Sequence, residues 1–287
     1  MHIQWYPGHM TKTKRMIVSQ MSLIDVVIEL LDARIPISSR NPDIDELCKH
    51  KKRVVALNKS DLADPNITKQ WQKHFESQGL MTLVVNAKDT DKKRGGLTHL
   101  AASIREQMAE KTQALAKRGR IGKSIRCMIV GIPNVGKSTF INQFSGRAST
   151  LVADRPGVTR GRQWIRIDGG FELLDTPGVL WPKFEDQQVG IKLAVTGAVS
   201  DNVVDSITLA DEFIKMMLEI KPSLLENRYK IETGEKAPRE ILEIIGAARG
   251  FLLKGGIIDI ERAAIILIDE YRAGKLGRIS LEKPLFI

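Results

Sequence analysis

The chain has 287 residues, a formal net charge of +10 at pH 7, and 43% hydrophobic against 27% charged residues. It is long enough to bury a full core, as one large domain or two smaller ones. No apolar run approaches the ~20 residues of a membrane span, the opening MHIQWYPGHMTKTKRM lacks a secretory apolar centre, and Cys48 and Cys127 stand far apart without metal-ligand spacing; Cys127 reads as a small buried thiol, and a reducing cytoplasm fits.

In chain order, LIDVVIELLD (23–32) reads as a buried strand and PDIDELCKH (42–50) as a helix. RVVALN (53–58) is a second strand, followed by the amphipathic ITKQWQKHFESQ (67–78). MTLVVNA (81–87) is a third, followed by a long helical stretch from Leu97 to about Leu115. After a basic linker come the strand IRCMIVG (125–131), the helix GKSTFINQFS (136–145), and two short strands at QWIRID (163–168) and FELLD (171–175). Strands alternating with helices imply a mostly parallel sheet with helices on both faces. Beyond Gly178 the pattern changes: DSITLADEFIKMMLEI, PREILEIIGAARGFLL and DIERAAIILIDEYRAG carry helical apolar spacing. An α/β domain over 1–185 and a small all-α domain over 190–287 are expected.

The positive charge is uneven. Residues 190–287 hold 14 Lys/Arg and 15 Asp/Glu, so the excess belongs to the first two-thirds. KTQALAKRGRIGKSIR (111–126) has six basic residues and no acidic one, and Arg155, Arg160, Arg162 and Arg166 form a second cluster. Such patches are either a solvated face or a footprint for RNA, and composition does not choose between them.

GIPNVGKS (131–138) has the spacing Gly-x4-Gly-Lys-Ser between a strand and a helix, the setting in which that pattern grips phosphate. The backbone from Asn134, Val135, Gly136, Lys137, Ser138 and Thr139 is expected to wrap the phosphates, helped by the partial positive charge of the helix start. Lys137 should reach the β- and γ-phosphates and the Ser138 hydroxyl should bind Mg²⁺. LLDTPG (173–178) places Asp175, a metal holder through water, three residues before Gly178, whose N–H can meet the γ-phosphate. Alone it is also an ordinary turn. Between the two motifs, RPGVTR (155–160) supplies Thr159 as a second hydroxyl for Mg²⁺.

ALNKSD (56–61) contains Asn58-Lys59-Ser60-Asp61, a pattern that reads guanine. The Asp61 carboxylate can accept from N1–H and the 2-amino group, a pair that adenine lacks. The Lys59 stem can lie over the base, and Asn58 can tie this loop to the phosphate loop. Asn86 and Ala87 end the next strand where a backbone N–H would meet the guanine oxygen. This base-reading pair precedes the phosphate loop, whereas an ordinary GTPase carries it afterwards. In a parallel α/β sheet, ligand groups gather at the carboxyl ends of strands whatever order the chain visits them. The order base loop, second base loop, phosphate loop, first switch, second switch is therefore a circular permutation of a P-loop GTPase. Gly178 then feeds almost directly into the helical region, so a loop rearranged by the γ-phosphate would pull on it.

QWYPGHM, DARIPISSRNP, NKSD, GIPNVGKST, DRPGVTR and DTPGVLWPK, from Trp5 to Lys183, with LAVTGA (193–198) and the helical tail, closely resemble the ribosome biogenesis GTPase A (YlqF) family of circularly permuted GTPases. The resemblance implies a GTP-hydrolysing factor that binds the large ribosomal subunit and its rRNA late in assembly, is stimulated by it and leaves after hydrolysis; the helical domain over 190–287 would be its rRNA-contacting module, a role its charge balance does not itself support. DNA and membrane are not among the implied partners. Val179 and Leu180 stand where Ras-like enzymes carry a water-orienting Gln, and the family gives that work to His9; the residues alone favour a surface histidine near a terminus, and it is the resemblance that points to catalysis. Asn134 matches the phosphate-loop Asn of potassium-stimulated GTPases and marks a candidate K⁺ position. Asn86 replaces the usual Ser of the second base loop. A GTP-gated RNA-binding module with incidental hydrolysis is the competing reading.

Overall fold

A computed structural model describes residues 8–93, 95–119, 122–145, 150–152, 164–167, 169–174, 186–201 and 204–284, the stretches 8–14 and 150–152 by backbone only. Its centre is a seven-stranded sheet in the order β3-β2-β1-β4-β7-β6-β5. The strands are β1 Val26–Asp32, β2 Lys52–Asn58, β3 Met81–Val84, β4 Ile125–Val130, β5 Thr150–Val152, β6 Trp164–Ile167 and β7 Phe171–Leu174. β1 is parallel to both β2 and β4 and buried at every position, which is why its sequence, VVIELLD, is mostly apolar without alternation, Glu29 and Asp32 being its buried charged residues. β5 and β6 complete one edge in antiparallel pairing.

Alternate residues of the central strands face different helices. Val26, Ile28 and Leu30 share a core with Leu100 and Ile104 of α4 (Leu97–Lys117) and Phe140 of α5 (Lys137–Ser145). On the opposite face, Val27 and Met128 pack with Ile17 of α1 (Gly8–Met21) and Ile44 of α2 (Asp43–Leu47). Leu31 and Leu57 pack there with Trp71 and Phe75 of α3 (Pro65–Ser77). The expectation of a mostly parallel sheet covered on both faces is thus met. Asp64 caps α3, accepting from the N–H groups of Asn66 and Ile67 at 2.8 and 3.1 Å, with Pro65 in the first turn. Such a cap is worth ~1 kcal/mol.

The last third is helical: α6 Gln187–Val195, α7 Ser206–Ile220, α8 Ser223–Tyr229, α9 Pro238–Ala248 and α10 Ile260–Arg272. The helix expected through Leu253 ends at Ala248, because Gly250 turns left-handed at φ +66° and Leu252 then bridges to Ile258. Past α10 the chain runs back across the sheet's carboxyl end: the N–H groups of Ile279 and Leu281 donate to the carbonyls of Leu62 and Arg34. Among the described residues no helix is long and apolar enough to cross a membrane.

Candidate nucleotide site

The chain moves outward from β1 to β2 and β3, then crosses back through α4 to lay β4 on the other side of β1. Loops after β1 and β4 consequently diverge, and the crevice between them is where such sheets bind ligands. A cleft of about 640 Å³ lies there, lined among others by Arg34, Lys59, Lys88, Asn134, Thr196 and Arg272. Its size is that of ligand pockets in general, ~300–1,000 Å³.

Asn58 ends β2 and is the joint of the site. Its Nδ2 donates to the Val135 carbonyl at 2.8 Å, and its Oδ1 accepts from the Ala87 N–H at 3.0 Å. The base loop, the second base loop and the phosphate loop are therefore fastened to one buried amide. The Ala87 N–H, expected to face the base oxygen, is engaged by Asn58, so a base contact there would share this donor. Asn86 Oδ1 accepts from the Lys88 N–H at 3.0 Å and closes the turn with its side chain. Lys59 adopts φ +59° and its Nζ lies 3.0 Å from Asp32 at the end of β1. Ser60 is half-buried and Asp61 is exposed at the end of the same turn.

In the phosphate loop, Lys137 is buried and its Nζ donates to the Gly131 and Ile132 carbonyls at 3.1 and 2.7 Å. Gly136 sits at φ +100°, and a Cβ there would lie 2.7 Å from Asn58 Nδ2, so the tie between the loops requires glycine. Ser138 and Thr139 are exposed in the first turn of α5. The exposed Asn134 donates from Nδ2 to the Gly197 carbonyl at 2.7 Å. Among the described residues no group of three or more His, Cys, Asp or Glu is gathered around a metal. A Mg²⁺ carried by phosphates needs only a few side-chain ligands, and the exposed Ser138 hydroxyl beside the phosphate loop fits that requirement. Thr159, Asp175 and Gly178 lie outside the described residues, as does the side chain of His9, whose backbone belongs to α1.

Asp32, Arg34, Arg272 and the Thr196–Gly197 turn had no sequence-derived role. Arg34 is 1% exposed and grips Asp32 through two hydrogen bonds of 2.9 and 2.7 Å. Burial opposes ionisation of Asp32, yet Arg34 and Lys59 outweigh it and hold the carboxyl well below the usual range. Carbonyls at the end of α6 and in the turn after it meet side-chain donors, Ala194 in addition to the Gly197 N–H. Arg272 serves Ala194 and Val195 at 2.8 and 3.1 Å, Arg34 serves Thr196 at 3.5 Å, and Asn134 serves Gly197. In the sequence, Asp32 and Arg34 lie in DARIPISSRNP and Thr196 and Gly197 in LAVTGA, marks of the resemblance to which no role was attached, and Arg272 carried no signal.

A phosphate loop joined through one asparagine to an Asn-Lys-x-Asp loop that precedes it in the chain defines a circularly permuted P-loop GTPase domain. A family model described as 50S ribosome-binding GTPase matches residues 126–234, beginning in β4 and leaving the base loop upstream of the match. Ribosome biogenesis GTPase A of Bacillus pumilus is 43% identical over 284 residues, 99% of each chain. That of Thermotoga maritima is 32% identical over 98% of this chain and 95% of its own. A crystal structure of GNP-bound YlqF from T. maritima superposes with a TM-score of 0.66 at 28% identity, covering 96% of this chain and all of that one. The chain belongs to the ribosome biogenesis GTPase A family.

Proposed function

We propose that this protein is a cytoplasmic GTP-hydrolysing assembly factor for the large ribosomal subunit. It binds rRNA when loaded with GTP, is stimulated by the subunit and leaves after hydrolysis. The observation that carries the reading is Asn58, which ties an Asn-Lys-x-Asp loop to a phosphate loop 77 residues further along the chain. Asp61 accepts from guanine N1–H and the 2-amino group, and adenine would leave that carboxylate unpaired. The Lys59 stem covers the base, Lys137 leaves its two carbonyls for the β- and γ-phosphates, and the N–H groups of residues 134–139 point at the phosphate oxygens. Mg²⁺ would be held by Ser138, Thr159 and, through water, Asp175; it would neutralise charge on the phosphates. Gly178 offers its N–H to the γ-phosphate. His9 orients the attacking water in place of the absent Gln. The amide nitrogen of Asn134 is engaged with Gly197, so K⁺ would be met by its oxygen.

The ribosomal partner rests on the family, on the description of the matched family model, and on a basic excess confined to residues 1–189. The test is GTP turnover with and without large subunits, for the wild type and His9→Ala. Turnover should rise on adding subunits in the wild type, and His9→Ala should bind subunits without that rise. Equal turnover with and without subunits would favour the GTP-gated RNA-binding module. Equal stimulation in both proteins would remove His9 from the chemistry.

A further inference from the structure

The returning C-terminal segment touches the base loop at the residues that flank Asp61. Arg278 donates from Nη2 to the Ser60 carbonyl at 2.7 Å and from Nε to the Ala63 carbonyl at 2.9 Å. Between them, the Ile279 N–H donates to the Leu62 carbonyl at 2.9 Å. Ser280 Oγ accepts from the Asp64 N–H at 3.2 Å. One guanidinium thus spans the turn that carries Asp61, and the two residues after it hold what lies between and beyond. The segment itself is anchored. Ile279, Ser280 and Leu281 are buried, the Glu282 carboxylate accepts from the N–H groups of Ile37 and Ser38 at 2.8 and 3.2 Å, and the Glu282 carbonyl accepts from Trp71 Nε1 at 3.1 Å. Gly274 approaches so closely that a Cβ there would meet Leu62 Cδ2 at 2.7 Å.

We infer that Arg278 is a positioning residue for guanine recognition: the end of the helical region is a brace that aims Asp61. The physical reason is what the turn holds by itself: besides the Leu62 N–H to Lys59 carbonyl bond at 2.9 Å and the Ser60 N–H to Val85 carbonyl bond at 3.3 Å, its Ser60, Leu62 and Ala63 carbonyls are met by the returning segment. Asp61 is exposed, and a carboxylate that must accept two hydrogen bonds at once depends on the direction of its backbone. Asn58 and Lys59 fix the start of the turn, through Val135, Ala87 and Asp32. The far side of the turn, Leu62 to Asp64, is held by Arg278, Ile279 and Ser280. The brace also links α10, which ends at Arg272, to the grip on the base. A partner that displaces the helical region would loosen the nucleotide at its base, independently of the γ-phosphate switches.

This inference rests on the base-reading role of Asp61, and the test separates the two. Release of GDP and of inosine diphosphate, which lacks the 2-amino group, is followed by stopped flow in the wild type, Arg278→Ala, Arg278→Lys and Asp61→Asn. Arg278 is a surface side chain, so its replacement leaves the core intact. Arg278→Ala should release GDP about tenfold faster, the scale of one lost charge-assisted hydrogen bond, while release of inosine diphosphate changes much less. Arg278→Lys, which can serve one carbonyl, should fall between. GDP release at the wild-type rate overturns the inference, and so does equal acceleration of both nucleotides, since an arginine that only holds the chain together would not sense the 2-amino group. If Asp61→Asn comes to prefer xanthosine diphosphate while Arg278→Ala behaves as wild type, the brace alone falls. If Asp61→Asn shows no such preference, the base reading falls and takes the brace with it.

Discussion

The phosphate loop and the base loop open on the same cleft and are supported in opposite ways. Lys137 finds its carbonyl partners five and six residues back, at Ile132 and Gly131, and the Phe140 N–H bonds to Gly136. The base loop borrows its support: Asn58 reaches 77 residues forward to Val135, and Arg278 reaches Ser60 and Ala63 from 218 and 215 residues away. One loop is set largely from within, with distant ties at Val135 and Asn134. The other is assembled by the fold, so its geometry answers to distant parts of the chain.

Gly136→Ala strikes both loops at once and should have the largest effect. The left-handed φ and the 2.7 Å approach to Asn58 leave no room for a methyl group. Calorimetry should show GTP affinity reduced at least about a hundredfold, from backbone strain and a lost hydrogen bond together.

Asn58→Ala should divide the two loops. It leaves the Val135 carbonyl and the Ala87 N–H without their partner, a cost of about 2–3 kcal/mol that urea denaturation would register. GTP affinity should fall steeply while binding of tripolyphosphate stays close to that of the wild type. Equal loss of both would mean that the phosphate loop also depends on Asn58.

The smallest effect is a pH dependence. Asp32 titrates below its ordinary value of 3.8 because Arg34 and Lys59 outweigh the cost of burying it. A carboxyl depressed in the folded state stabilises the fold above its unfolded value, and that contribution is lost as pH falls below it. Urea midpoints should therefore start to fall below about pH 4 in the wild type and keep falling as pH drops toward the depressed folded-state value, and the fall should be shallower in Asp32→Asn. An equally steep drop in that variant would show that other carboxylates set the acid limit.

Sequence reading succeeded where information is local. The buried runs VVIELLD and IRCMIV and the spacing of GIPNVGKS named their strands and loop, and Asn58 was expected to reach the phosphate loop, as it does. Elements without a strong period were missed. The first helix, GHMTKTKRMIVSQM, is mostly polar, Ser223–Tyr229 is only seven residues long, and Thr150–Val152 is a three-residue edge strand. The brace was illegible for another reason: GRISLEK has neither helical nor strand periodicity, and its order comes from carbonyls and N–H groups supplied more than 200 residues earlier.

Hydrogen exchange measured with GDP and with ADP tests most directly whether the two loops clasp a single guanine nucleotide. The amides of residues 58–64 and 131–139 should slow together on adding GDP, and neither set should respond to ADP at the same concentration. Protection of the phosphate loop alone, or equal protection by ADP, would contradict a site built from both.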